Sequence, residues 1–292
     1  MQSSSHFSAP GIPVGAAATT WAVRDVMALM ESWYPAATAQ SWDRVGLIVG
    51  DPDAPVRSIL LALDPTAAIA DQAVAGPCSD GNSYDMVITH HPLLLRGASF
   101  LPVTDPKGRV VTALIRSGIA LFNAHTNADV ACDGVATALA DLIGLRDTVP
   151  LEPCGTDAEG REIGLGRVGS VAETTLGAFA DHVASVLPAG PSGLFVGGDE
   201  AAPVRRVAVL GGAGDSALES ARAAGVDVYL TADLRHHPAS EHLEGGAPAL
   251  LCGSHWATES PWLPVLARKL RDAASAADVE LRVEVSTIVT EP

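Results

Sequence analysis

Residues 56–74 and 85–92, VRSILLALDPTAAIADQAV and DMVITHHP, carry the reading of the fold. Residues 56–63 are a largely continuous apolar run, which suits a strand buried on both faces in a parallel sheet. Residues 66–75 suit a helix. Residues 85–89 make a second short buried strand, which ends directly at His90 and His91. The alternation continues both ways. Upstream, Val23, Val26, Met27, Leu29, Met30 and Trp33 give helical spacing over 20–34, and WDRVGLIVG at 42–50 reads as a strand closed by glycines. Downstream, 109–117 suits a helix ended by Gly118, 119–124 a strand ending at His125, and 135–143 a helix with Gly144 beyond its end. Strands alternating with helices predict an α/β fold with a largely parallel sheet.

The pattern then restarts. Residues 150–202 are richer in Gly and Pro and contain one helical stretch, 174–186. Residues 204–238, VRRVAVLGGAGDSALESARAAGVDVYLTADLRHHP, resemble the first quoted stretch. Val56 aligns with Val204 (204 − 56 = 148), His90 with His236 (236 − 90 = 146) and Asp85 with Asp227 (227 − 85 = 142). Loop insertions produce such small differences, although any two βαβ units look partly alike. A strand at 249–252, a helix at 261–274 and an edge strand at 282–290 complete the chain. The expected architecture is two similar α/β lobes, with mostly parallel sheets facing a central cleft. It divides into a flexible tail at 1–19, a first lobe at 20–149, a connecting segment at 150–203 and a second lobe at 204–292, the lobes forming one unit. Open α/β sheets bind ligands at their strand C-termini, so a site between the lobes is expected.

Composition narrows the function. The 292 residues include 18 Lys plus Arg and 34 Asp plus Glu, a formal charge of −16, with 48% hydrophobic residues. That apolar fraction excludes a disordered chain. The acidic balance argues against a nucleic-acid partner, which needs a basic patch, but allows an anionic small molecule neutralised by a metal or local cations. No apolar run approaches the roughly 20 residues of a membrane span, and the N-terminus lacks the basic and apolar regions of a secretory signal. Cys78, Cys132, Cys154 and Cys252 are scattered without C-x-x-C spacing and read as reduced thiols. A cytoplasmic protein is expected.

The chemistry concentrates at strand ends. Adjacent side chains at a strand end diverge, so His90 and His91 suit two metals better than one; taken alone, they read more readily as a polar loop. The next strand ends in NAHTNAD, with His125 and Asp129, and the last in SHWATE, with His255 and Glu259. Ser260 and Pro261 look like a helix start, which puts His255 and Glu259 on the loop before it. Imidazole with carboxylate suits Zn, Mn, Fe, Co or Ni rather than Ca. His125 and His237 are candidates for orienting ligands or moving protons, or are hydrogen-bonded structural histidines. Asp64 and Asp233 each follow a strand and could line the cleft. Gly212, Gly214 and Ala217 fit G-x-G-x-x-A, with Asp233 in the position of a ribose ligand, formally a dinucleotide fingerprint; the Gly211–Gly214 turn could also hold a phosphate. Trp256 and Trp262 wall the cleft, or fill the core or a subunit contact.

HHP, HTNAD and SHWATE, in this order and with SWDRVGLIVGD (41–51), GLGRVG (164–169) and YLTADLRHH (229–237), resemble the Nif-three-like dinuclear metal-centre family, whose bacterial members carry the label GTP cyclohydrolase I type 2. The resemblance spans roughly residues 21–270; Ala128 stands where the family's second motif has Leu. The short 150–203 segment resembles the form without an inserted domain. The resemblance implies two divalent ions per chain, held by His90, His91, Asp129, His255 and Glu259, with Glu259 bridging. It implies a metal-bound water as nucleophile in a metal-dependent hydrolase of a nucleotide or similar small molecule, opening GTP to formate and dihydroneopterin triphosphate. It also implies a ring-shaped homohexamer and no nicotinamide cofactor. The alternative is a non-catalytic metal-binding or regulatory protein that acts through partners.

Overall fold

Every position from Ile59 to Leu63 is apolar because its strand is covered on both faces. The structure, a computed structural model, describes residues 20–77 and 82–291; the tail at 1–19 and Cys78 lie outside them. The first half contains β1 (Trp21–Ala22), α1 (Val23–Trp33), β2 (Gly46–Val49), β3 (Pro55–Val56), β4 (Ser58–Ala62), α2 (Ala67–Ala75), β5 (Met86–Thr89), α3 (Pro106–Ser117), β6 (Ala120–Asn123), α4 (Thr126–Val130) and α5 (Val135–Leu142). The second contains β7 (Arg146–Val149), β8 (Glu152–Thr156), β9 (Glu162–Leu165), β10 (Arg167–Thr175), α6 (Leu176–Val186), β11 (Phe195–Gly197), β12 (Pro203–Ala213), α7 (Leu218–Ala223), β13 (Val228–Ala232), α8 (His236–Glu244), β14 (Ala249–Gly253), α9 (His255–Glu259), α10 (Trp262–Ala276) and β15 (Arg282–Val285).

Two large sheets form among the described residues, in orders β15-β4-β5-β6-β2 and β11-β14-β13-β12-β10-β7, beside the two-stranded pairs β1-β3 and β8-β9. The first is parallel except for β2. The second is parallel only through β12, β13 and β14, with antiparallel β11, β10 and β7 outside them. Alternate residues explain the apolar runs. Ile59 and Leu61 of β4 face α1 and α10, while Leu60 and Ala62 face α2 and α3. In the second sheet Val207 and Val209 face α5 and α6, while Ala208 and Leu210 face α7.

The repeat is visible in hydrogen bonds. Asp85 Oδ2 accepts the N–H groups of Arg57 and Ser58 at 2.8 and 2.9 Å. Asp227 Oδ2 accepts those of Arg205 and Arg206 at 2.8 and 2.8 Å. Trp21 pairs with Val56 and Ala22 with Pro55, as Thr174 pairs with Val204 and Thr175 with Pro203. Antiparallel β2 flanks β6 as antiparallel β11 flanks β14.

Several expectations shift. Residues 150–203 are more than a connection, because β10 and β11 are strands of the second sheet and α6 packs on it. The C-terminal part of the second lobe returns to the first: β15 pairs with β4, and Trp262, Leu263, Leu266 and Leu270 of α10 join the core under β4 and β5. Helix α3 starts before the apolar periodicity, since Asp105 Oδ1 accepts the N–H groups of Lys107 and Gly108 ahead of it. Register equates Leu61 with Val209 and Ile88 with Leu230. His90 therefore corresponds to Ala232 and His91 to Asp233, not to the His236 pair, which opens α8. Among the described residues no helix is long and apolar enough to cross a membrane, and Cys132, Cys154 and Cys252 are free thiols.

Candidate metal centre

The C-terminal ends of the parallel strands meet at one point, where each imidazole is gripped from behind. His90 Nδ1 donates to Ala124 O at 2.9 Å. His91 Nδ1 lies 2.7 Å from Asp64 Oδ1, and His255 Nδ1 lies 2.7 Å from Asp233 Oδ2. His125 Nδ1 sits between both oxygens of Asp43, at 3.1 and 3.0 Å. An acceptor at Nδ1 fixes ring orientation and leaves Nε2 as the free donor atom. Those Nε2 atoms face two carboxylates. His90 Nε2 is 3.5 Å from Asp129 Oδ1 and 3.7 Å from Glu259 Oε1. His91 Nε2 and His255 Nε2 are each 3.1 Å from Glu259 Oε2 and 3.2 Å from one another. His90, His91 and His125 form one group of donor atoms within 4.8 Å, and His91, His255 and Glu259 another, so both could hold a metal ion.

The elements carrying these residues differ from expectation at one point. His255 and Glu259 lie on their own short helix, α9, not on a loop. Ser254, rather than Ser260, is its N-cap, and its hydroxyl accepts the Ala257 N–H at 3.1 Å. Asp129 sits likewise on short α4, whose capping residue is His125. His237 does not join the cluster. It is exposed at the start of α8, with its ring against His236. The two tryptophans divide: Trp262 is fully buried and donates to Tyr34 Oη at 3.2 Å, while Trp256 lines a cavity beside His91 and His255.

The glycine turn serves the cluster. Gly212 has φ +70°, and a Cβ there would come 2.2 Å from Glu259 Oε1 and 3.0 Å from His255 Nε2. Its N–H donates to Thr258 Oγ1 at 3.0 Å and its carbonyl accepts from Thr231 Oγ1 at 3.0 Å. A Cβ on Gly214 would lie 1.9 Å from Thr231 Oγ1. Gly212 lets α9 close onto β12 and Gly214 makes room for Thr231 and Tyr229 of β13, which explains the two glycines through packing.

Other residues had no individual signal. Asp43, within the quoted SWDRVGLIVGD, also accepts from Thr126 N and Oγ1 and is buried. Arg167, within GLGRVG, is buried and donates to Gly164 O, Gly166 O, Ala131 O and Thr137 Oγ1, bracing the turn just after Asp129.

Charge in the metal-free cluster follows from this packing. Burial lowers the proton affinity of His91, but Asp64 and Glu259 outweigh it and push the imidazole up to about 10. Burial likewise opposes Glu259 and Asp233 at His255, which ends at about 9. Burial raises the Asp129 carboxyl to about 6. Burial also opposes ionisation of Glu259, yet the surrounding imidazoles hold it well below the usual carboxylate range. At His125 burial prevails over Asp43, and the ring lies below its ordinary value.

Two α/β lobes with a cluster of histidines and carboxylates at their strand ends define a class of protein whose donor groups could hold a metal ion. The particular family is clear. The chain belongs to the Duf34/NIF3 (NGG1p interacting factor 3) family, whose model matches residues 21–292. It is 46% identical over 269 residues to the "GTP cyclohydrolase 1 type 2 homolog" of Streptomyces coelicolor, covering 92% of each chain. Its fold matches a Bacillus cereus protein related to NIF3 with TM-score 0.84 at 24% identity, over 94% of this chain and 98% of that one. A hypothetical protein of Staphylococcus aureus matches with TM-score 0.83 at 28% identity, over 93% and 98%.

Proposed function

We propose that the protein is a dinuclear divalent-metal hydrolase acting on a nucleotide or similar small molecule. One observation carries the reading. His90 Nε2 is buried without a hydrogen-bond partner, and buried Glu259 Oε2 meets the Nε2 atoms of His91 and His255 at 3.1 Å each, among imidazoles whose Nδ1 atoms are already fixed. Buried polar atoms require a partner, and this donor set suits Zn, Mn, Fe, Co or Ni. His90, His91, Asp129, His255 and Glu259 would hold the ions, with Glu259 reaching both. When bound, two such ions supply Lewis acidity and a water acidified toward neutral pH.

The chain's own residues supply orientation and proton handling. Asp64 and Asp233 keep the His91 and His255 rings aimed at Glu259. Asp43 fixes His125 in one orientation. Because burial disfavours its charged form, His125 is neutral near pH 7 and its Nε2 is free to accept a proton from a reacting group. The relatives' name makes GTP the first substrate to test, with formate and dihydroneopterin triphosphate as products. A homohexamer in the cytoplasm belongs to the same reading and is tested by the mass in solution and by cell fractionation.

The decisive experiment is elemental mass spectrometry on untagged protein purified without chelator, followed by formate release from GTP. We expect roughly two equivalents of metal per chain, lost in Glu259→Ala, and formate release lost in His91→Ala and Glu259→Ala. Metal binding without turnover on any nucleotide would favour a binding role. No metal after reconstitution would overturn the centre itself.

A further inference from the structure

After β15 the chain leaves the first sheet and crosses to the second lobe beside the cluster. Ser286 donates its N–H to Leu61 O at 2.8 Å and its hydroxyl to Gln72 Oε1 at 2.6 Å. Ile288 packs against the core on the α2 and α3 side. Thr290 then donates its hydroxyl to Asp64 Oδ2, while Oδ1 of the same carboxylate holds His91 Nδ1. Glu291 Oε2 accepts the N–H of Trp256 at 2.8 Å, in the first turn of the helix that carries His255 and Glu259. With Asp64, Asp233 and Trp256, these two residues wall a cavity of about 230 Å³ beside His91 and His255.

We propose that Thr290 and Glu291 are positioning residues that hold the two half-sites in register, one through Asp64 and His91, the other through α9. The inference rests on the metal-centre reading above. A carboxylate that orients a ligand does so only if its own rotation is restrained, and Thr290 restrains Asp64 by occupying the oxygen that His91 does not use. The first N–H groups of a helix have no carbonyl within the helix to receive them. Ser254 satisfies that of Ala257, and Glu291 satisfies that of Trp256. One short strap therefore touches the support of a first-lobe imidazole and the helix that bears the second-lobe donors. Contact partners outside the ligand set change metal affinity about 10- to 100-fold when removed.

The test uses the full chain, stripped of metal and titrated with Zn²⁺ against a chromophoric chelator, with ¹⁵N-histidine NMR of the metal-free protein. Thr290→Val is expected to weaken Zn²⁺ binding about 10-fold or more and to shift the ring-nitrogen signals of His91. Thr290→Ser is expected to restore both, which mere loss of packing would not. Glu291→Ala is expected to weaken binding and shift the His255 signals instead. Wild-type affinity with unshifted His91 signals in Thr290→Val overturns the proposal, as does a Thr290→Ser variant as impaired as Thr290→Val. If the wild-type chain takes no Zn²⁺, the metal-centre reading fails, and the proposal as a metal-positioning device falls with it. Should Thr290→Val not fold, Glu291→Ala and Thr290→Ser carry the decision.

Discussion

The two lobes share a skeleton and divide the chemistry. Around β4–β6 and β12–β14 the register, the aspartate clamps and the antiparallel edge strands correspond. The side chains at corresponding strand ends do not. The first lobe places His91 where the second places Asp233, and Asp64 where the second places Gly212. Each lobe then has a histidine and a carboxylate four positions apart, His125 with Asp129 and His255 with Glu259. The helical register differs by one: His125 caps α4, whereas His255 is the first residue of α9. One residue is about 100° of rotation on a helix. Glu259 thus lies against both His91 and His255, while Asp129 faces His90. Repeated backbone can be kept while a one-residue slip and a few exchanges assign different tasks to each half.

The largest test of this asymmetry compares Glu259→Ala with Asp129→Ala. If Glu259 serves both halves, its loss abolishes metal binding, while loss of Asp129 leaves about one equivalent, read by elemental analysis. Equal losses would break the asymmetry. The next effect is on pH. His91 and His255, raised to about 10 and about 9 in the metal-free chain, are protonated at pH 7 and must give up their protons to a metal. Metal affinity is therefore expected to fall as pH falls, by about tenfold per pH unit for each proton released. Calorimetry in buffers of different ionisation enthalpy counts these protons, and a count of zero would refute the assignment of both rings.

Gly212→Ala tests the position where the first lobe tolerates Asp64. With φ +70° and a Cβ 2.2 Å from Glu259 Oε1, it is expected to cost about 1–3 kcal/mol in urea unfolding and to impair metal uptake. A neutral result would remove the close-approach explanation of the glycine turn. At the clamps, stability alone is expected to change, with metal uptake kept. Asp85→Ala and Asp227→Ala should each cost about 1–3 kcal/mol, and by similar amounts. A large difference between them would show that the repeat is geometric but not energetic.

Much of this protein was legible before its structure. Apolar runs bounded by helical spacing give β4, β5, β6, β12, β13 and β14, because strands buried on both faces admit little else. His90, His91, His125, Asp129, His255 and Glu259 are visible as chemistry-bearing residues just past those strands. The pairing of Asp85 with Asp227 was also legible, as an offset. What failed was local. The short helix α9 is hidden, since five residues are too few for a periodic signal, and the repeated HHP aligns His236 with His90, whereas register assigns Asp233 to His91.

The sequence by itself determined the α/β layers with parallel central strands, the doubled pattern and the donor types, because periodicity and residue chemistry are local properties. Only the tertiary structure decided which atoms meet. Asp43 holds His125 across 82 residues, Arg167 reaches Ala131 across 36, and Thr290 reaches Asp64 across 226. It also decided that β15 and α10 belong with the first sheet. Such contacts depend on the route of the whole chain, and a carboxylate that will orient an imidazole looks, in the sequence, like any other acidic residue in a loop.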